Sequence, residues 1–274
     1  MTSSVLSIAV GADGIGMLHM RELPQKDNLC GCFWAAIALR AAGIEETGGD
    51  SIDQDRVAFE AGTILPADTR GNFVPPGAAP RRDYRLSLPV TRDAGAAGTS
   101  APGLVRALER LAGGRLVVLA VAGPWSGASV VDLVGTTAAL APATTLVANI
   151  RSGRLWGSRP HPRALLDHLA GRDADGPPAE WDVGHFVNLA ALVRGPRRAL
   201  VVVRDSYRSL GWDGYHLQPA DVVARALERG DGREGGVLCI CPAGDAEALG
   251  AQLLEGGYEL RHWDNGTPEA ATDA

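Results

Sequence analysis

Residues 27–43 read Asp-Asn-Leu-Cys-Gly-Cys-Phe-Trp-Ala-Ala-Ile-Ala-Leu-Arg-Ala-Ala-Gly, and this stretch sets the expectation for the fold. Leu29, Phe33, Ile37 and Ala41 recur at helical spacing, Asp27 or Asn28 stands where a capping side chain belongs, and Gly43 stands where the helix should stop. The alanines at 35, 36, 38, 41 and 42 allow a close neighbour, so the spacing predicts a central helix with a buried face. Its first turn carries Cys30-Gly31-Cys32. A thiol at a helix N-terminus meets the positive end of the macrodipole and unpaired N–H groups, both of which favour thiolate.

The second informative stretch begins at Gly184-His185-Phe186-Val187. Strands are expected at Phe186–Val193 and Ala199–Val203, joined through Gly195 in the clearest hairpin of the chain. His185 precedes one strand and Asp205 follows the other, each ten residues from Gly195, so a turn centred there would set the two side chains opposite each other. A carboxylate beside an imidazole fixes its tautomer and stabilises its protonated form, which leaves the other ring nitrogen for a thiol. The bland alternatives are a small buried cysteine at a helix start and a satisfied histidine in a sheet. Gln25 lies close enough in sequence to offer its amide to an oxyanion together with the Cys30 N–H.

Elsewhere the pattern is helix at 103–111, buried strand at 116–122, helix at 129–140 and buried strand at 144–150, a β-α-β signature. The turn Gly123-Pro124-Trp125-Ser126-Gly127 lacks the Gly-Lys-Ser/Thr ending of a phosphate loop and reads as an ordinary strand-to-helix turn. A strand is expected at Ser4–Val10, a turn-rich break at Gly11–Gly16, long loops over 45–100 with one short helix near 53–61, a short helix at 160–170, a helix at 219–229, a strand at 236–241 and a helix at 246–255.

Together, Gln25, Asn28-Leu29-Cys30-Gly31-Cys32, the alanine-rich helix ending at Gly43, and Gly184-His185-Phe186-Val187 followed by Asp205-Ser206-Tyr207 resemble the bacteriocin-processing cysteine peptidases, papain-like domains that cut leader peptides after a double glycine. The resemblance covers residues 25–43 and 183–229. It implies Cys30 as nucleophile, His185 as base, Asp205 as orienting residue and Gln25 in the oxyanion hole. The implied fold is α+β: a papain-like cysteine peptidase domain with its N-terminal nucleophile helix packed on an antiparallel sheet, here with a long α/β insertion at about 44–180. One catalytic domain is expected over 1–265, with a flexible tail at 266–274. The chain departs from the family in that long insertion and in having no transporter segment after the domain.

Cys32 is the competing nucleophile, because Phe33-Trp34-Ala35 follows it as an aromatic follows papain's thiol. It lies about 200° around the helix from Cys30, so both cannot face one cleft. Cys239 and Cys241 alternate on an apolar strand and read as buried. The two cysteine pairs have one-residue spacers where structural zinc sites use two to four, so no metal or other cofactor is expected. His19, His216 and His262 show no partner in the sequence, and Trp156, Trp212 and Tyr215 could line a cleft or fill the core.

The expected function is cleavage of a peptide or amide bond through a Cys30 acyl-enzyme. The alternatives are an acyl- or peptidyl-transferase of a biosynthetic pathway using the same Cys-His-Asp site, and a non-catalytic peptide-binding protein. A peptide or carrier-bound acyl group is the expected partner. The 274 residues carry 32 acidic and 26 basic side chains, a net charge of −6, with no basic run beyond Arg81-Arg82 and Arg197-Arg198, which argues against a nucleic-acid binder. Lys26 is the one lysine; the other basic residues are arginine, a bias read as GC-rich codon usage. No apolar run approaches the ~20 residues of a membrane helix, and no export signal is legible, so a cytoplasmic protein is expected.

Overall fold

The computed structural model describes residues 7–10, 14–22, 24–69 and 74–269. Residues 4–6 of the expected first strand, residues 11–13 of the expected break and the last five residues of the expected tail lie outside these. The architecture is mixed α and β around one antiparallel sheet. In chain order the elements are β1 (Ser7–Val10), α1 (Gly14–Glu22), α2 (Cys30–Ala41), α3 (Gln54–Ala61), α4 (Ala101–Ala112), β2 (Leu116–Ala122), α5 (Gly127–Leu140), β3 (Thr145–Arg151), α6 (Pro162–Leu169), β4 (Gly184–Arg194), β5 (Ala199–Arg204), β6 (Tyr215–Pro219), α7 (Ala220–Glu228), β7 (Gly236–Pro242), α8 (Ala246–Glu255) and β8 (Glu259–Leu260).

The strand order is β6-β5-β4-β3-β7-β2-β8. The long β4 gives its first half to β3 and its second half to β1 along the same edge. The β-α-β reading of 116–150 is therefore a split unit: β2 and β3 do not touch, because β7 runs antiparallel between them. β2 and β3, both within the span expected as an insertion, are strands of the central sheet.

Alternation along these strands divides most of the interior into two cores, beside a small cluster of Leu165, Leu169 and Leu200, as side chains on successive residues must point to opposite faces. Val118, Ala120, Leu238, Ile240, Val147 and Phe186 face α2, α3 and α4. Val121, Cys239, Cys241, Ala148, Ile150 and Val187 face α5, α7 and α8. Both faces are covered, which accounts for strands that read as nearly continuous apolar runs.

Three elements were not visible in the sequence. α1 begins at Gly14, inside the glycine-rich stretch read as a break, and is held by burial of Ile15 and His19. β6 and β8 are short edge strands with little alternation to betray them. The turn at 123–127 does cap a helix, Ser126 accepting Ser129 N–H and Ser129 Oγ receiving Ser126 N–H. Residues 266–269, expected in the tail, are tied down: Thr267 Oγ donates to Ala97 O at 3.4 Å and Glu269 pairs with Arg106 at 2.5 Å.

The loop that leads into α2 is anchored by the segment after residue 80, which the sequence left as loop. Asp27 accepts Arg81 N–H at 2.9 Å and Arg82 Nε–H at 3.0 Å, while Tyr84 donates to its carbonyl at 2.9 Å. Lys26 is buried, with Nζ 2.5 Å from Asp55 Oδ2 and 2.6 Å from Asp83 O. Removing one partner of a buried ion pair strands the other, at a cost of roughly 3–5 kcal/mol. We expect Lys26→Met to lower unfolding free energy by that order in urea titrations, and Lys26→Met with Asp55→Leu to recover most of the loss.

Candidate functional site

α2 begins at Cys30 and not at Asp27 or Asn28. Asp27 is engaged with Arg81 and Arg82, and Asn28 takes a left-handed backbone (φ 63°), so neither caps the helix. The N-cap position falls to Leu29, whose side chain has no oxygen to offer. The first-turn amides at the half-buried Cys30 are therefore not covered by a capping side chain.

Two contacts fix the helix start against β4. Trp34, fully buried, donates its indole N–H to Phe186 O at 3.2 Å. Gly31 lies where any Cβ would come 2.5 Å from Leu104 and 3.2 Å from the Phe186 ring. Glycine after Cys30 is thus a matter of closeness, and what it approaches is the residue next to His185.

The sheet brings His185 and Asp205 together by a route the sequence did not reveal. The hairpin is centred between Pro196 and Arg197, with Arg194 opposite Ala199, not on Gly195. Continued unbroken, that register would place Asp205 opposite Asn188 and on the wrong face for His185. A bulge at Ala190 intervenes: Ala191 pairs with Val202 but Leu189 pairs with Val203. One extra residue reverses the face of everything beyond it. His185 then shares its face with Asp205 and Tyr207, and its Nε2 lies 3.2 Å from both Asp205 oxygens. Nδ1 remains for Cys30, whose sulfur is close enough to act on the imidazole as hydrogen-bond partner and charge.

Both members of the pair are almost wholly buried. Burial alone disfavours the imidazolium, but the Asp205 charge and hydrogen bond, together with Cys30, outweigh it and push the His185 pKa up to about 10. Burial would likewise raise the Asp205 pKa, yet the facing imidazole holds that carboxyl below its ordinary range. Both directions favour the imidazolium–carboxylate form of the buried pair.

Its surroundings are aromatic. Trp181 meets His185 edge-on at 5.0 Å and Tyr207 stacks over it at 6.3 Å. The Asp205 backbone is held at both ends, its N–H donating to Gly214 O at 2.6 Å and its carbonyl accepting from His19 Nε2 at 2.6 Å. His19 itself stacks on Trp34. Burial lowers the pKa of His19 and of His216, which lies near Asp205 and receives a hydrogen bond from Gln218 on Nδ1. Trp181, His19 and His216 belong to the site but have no signal in the sequence, since each reaches it from an element remote in the chain.

Gln25 stands at the Asp205 side: its N–H donates to Ser206 O at 3.2 Å and its side-chain oxygen accepts from Ser206 Oγ, which points its amide nitrogen the other way. That nitrogen reaches Lys26 O at 3.3 Å with one of its two hydrogens. Cys32 faces the core, between Thr63 and Thr99 hydroxyls at 3.3 and 3.4 Å, and burial pushes its thiol up to about 12. Cys239 and Cys241 are buried in the core on the opposite face of the sheet, so the two pairs do not converge. Among the described residues no group of three or more His, Cys, Asp or Glu could hold a metal ion. Trp212 is exposed, Tyr215 packs on His19 and Trp156 on His168; it is Trp181 that covers the imidazole.

A cleft of about 510 Å³ opens at Cys30, between Asn28 on one side, Gly98 and Thr99 on another, and Gly184 at the start of β4. A larger cavity, about 780 Å³, lies at the far hairpin tip around Arg194–Ala199 and holds none of these residues. Among the described residues no helix is long and apolar enough to cross a membrane.

No curated protein matches the chain. A family of unknown function, DUF6885, matches residues 9–264, a span that takes in Gln25, Cys30, His185 and Asp205, and the chain belongs to that family.

Proposed function

We propose that the protein is a cysteine-dependent enzyme that cleaves a peptide or amide bond through an acyl-enzyme on Cys30, in a papain-like arrangement. The observation that carries this reading is a half-buried thiol at an uncapped helix start, beside an imidazole whose Nε2 faces a buried carboxylate. A purely structural cysteine gains nothing from such a partner, and Cys32, two residues on, has the apolar and hydroxyl surroundings expected of one.

The chemistry follows from the positions. The Cys30 sulfur attacks the carbonyl carbon, forming a C–S bond while the carbonyl electrons move to oxygen. The Cys30 N–H and the Gln25 side-chain amide stabilise that oxyanion. His185 passes its proton to the leaving amine as the C–N bond breaks, then takes one from the water that releases the acyl group. Asp205 keeps the imidazole in the tautomer and orientation this requires and remains ionised throughout. The cleft is open at Cys30, so water has access to the acyl-enzyme, which favours hydrolysis over transfer.

Acylation is tested directly with a p-nitrophenyl ester of a short peptide. We expect a burst of about one equivalent of p-nitrophenolate and a mass increment mapped to Cys30, lost in Cys30→Ser, reduced at least about a hundredfold by His185→Ala, and kept in Cys32→Ser. An adduct on another cysteine, or none, sinks the assignment. The electrostatics give a second test. Because the folded His185 pKa is raised, its proton stabilises the native state at and below neutrality, and that contribution fades as pH climbs through about 10. We expect its ring resonances in NMR spectra to keep protonated shifts through pH 8 and to titrate near 10. In Asp205→Asn the titration should move down towards or below the ordinary 6.5, since burial then acts unopposed by the carboxylate.

A further inference from the structure

The cleft at Cys30 carries five charged side chains: Arg151, Asp182, Arg229, Asp231 and Arg233. Four of them cancel. Arg151 holds Asp182 with two bonds, at 2.6 and 3.0 Å, and the buried Arg229 holds Asp231 with two more, at 3.2 and 3.0 Å. Arg233 forms no ion pair among the described residues; its guanidinium gives one hydrogen bond, to Gly95 O at 2.9 Å. Asp93, across the same glycine, directs its carboxylate to the Gly95 N–H at 2.8 Å. Among the described residues, Arg233 is thus the one charged side chain of the cleft lining without an ion-pair partner.

That cation is also held in place. A Cβ on Gly266 would fall 2.2 Å from Arg233 Nε, and one on Gly95 would fall 3.2 Å from Nη2, so the guanidinium threads between two glycines. A staple between these loops needs one donor for Gly95 O, which a neutral side chain could supply. It does not need a guanidinium with further N–H donors and a full charge, partly sheltered from water in a concave wall where a field is focused. The apolar part of the lining comes from Ala94, Ala97, Val183 and Phe186, short or isolated side chains interleaved with the charged ones.

We propose that this cleft receives a substrate bearing a carboxylate, an acidic peptide group, and that Arg233 is the residue that binds it. This rests on the acyl-enzyme reading for its catalytic meaning, but the binding can be measured separately. The probes are bromoacetyl-glycine and its neutral counterpart bromoacetyl-glycinamide, with the bromoacetyl-glycylglycine pair as longer versions. In each, the Cys30 sulfur forms a C–S bond to the methylene and bromide leaves. The readout is the ratio of charged to neutral alkylation rates at Cys30, divided by the same ratio for N-acetylcysteine amide.

We expect a ratio of about ten in at least one pair, the low end of what a focused field produces, falling to about one in Arg233→Gln and falling in wild type as NaCl is raised to 0.5 M. A wild-type ratio of one in both pairs overturns the proposal, as does a raised ratio that neither salt nor Arg233→Gln changes. If Arg233→Gln does not fold, the wild-type salt series decides. The absolute rate with the neutral probe reports on the nucleophile. Slow labelling with a ratio of ten removes the catalytic reading and keeps the anion site; fast labelling with a ratio of one does the reverse.

Discussion

The docking of α2 on β4 controls where Cys30 stands. The indole of Trp34 donates to the carbonyl of Phe186, and Gly31 lets the helix start approach the same residue without a Cβ between them. Both contacts address the backbone and ring adjacent to His185, so the spacing of thiol and imidazole is set by packing in a dry core and not by a flexible loop. Interiors of this density do not deform smoothly. A change at position 31 or 34 would therefore alter the spacing of Cys30 and His185 although neither side chain lies between them.

The histidine and aspartate are held differently, by sheet register and by burial. Taking an imidazolium and a carboxylate out of water is costly, and the cost is offset only because each satisfies the other and the carboxylate also accepts Tyr207 N–H at 3.0 Å. Trp181 and Tyr207 keep solvent from competing for those bonds. The backbone of Asp205 is fixed independently by Gly214 and His19, so the carboxylate keeps its aim even when its partner changes charge.

Local patterns made much of this legible in the sequence. The apolar spacing from Leu29 to Ala41 specified α2, and the apolar runs flanking Gly195 specified the hairpin, because both depend on residues near one another in the chain. The register did not follow. No local rule announces the extra residue at Ala190, and a turn centre misplaced by one and a half residues led to the right pair for an incomplete reason. Helix α1 was hidden by its glycines, and its stability comes from the burial of Ile15 and His19. The Asp27 carboxylate, expected to cap α2, is taken up instead by the Arg81–Arg82 segment, a contact across more than fifty residues that only the folded chain displays.

The lone lysine adds a practical consequence. With its ammonium sealed between Asp55 and Asp83, Lys26 is hidden from amine-directed reagents in the native protein, while lying four residues before Cys30. Acylation of that amine under native conditions thus requires the Gln25–Cys30 loop to open, and the rate of its modification becomes a clock for local unfolding at the site itself. The same scarcity spares the protein from lysine-based fixation and surface coupling, so that immobilisation chemistry can be directed elsewhere without touching the loop that carries Cys30.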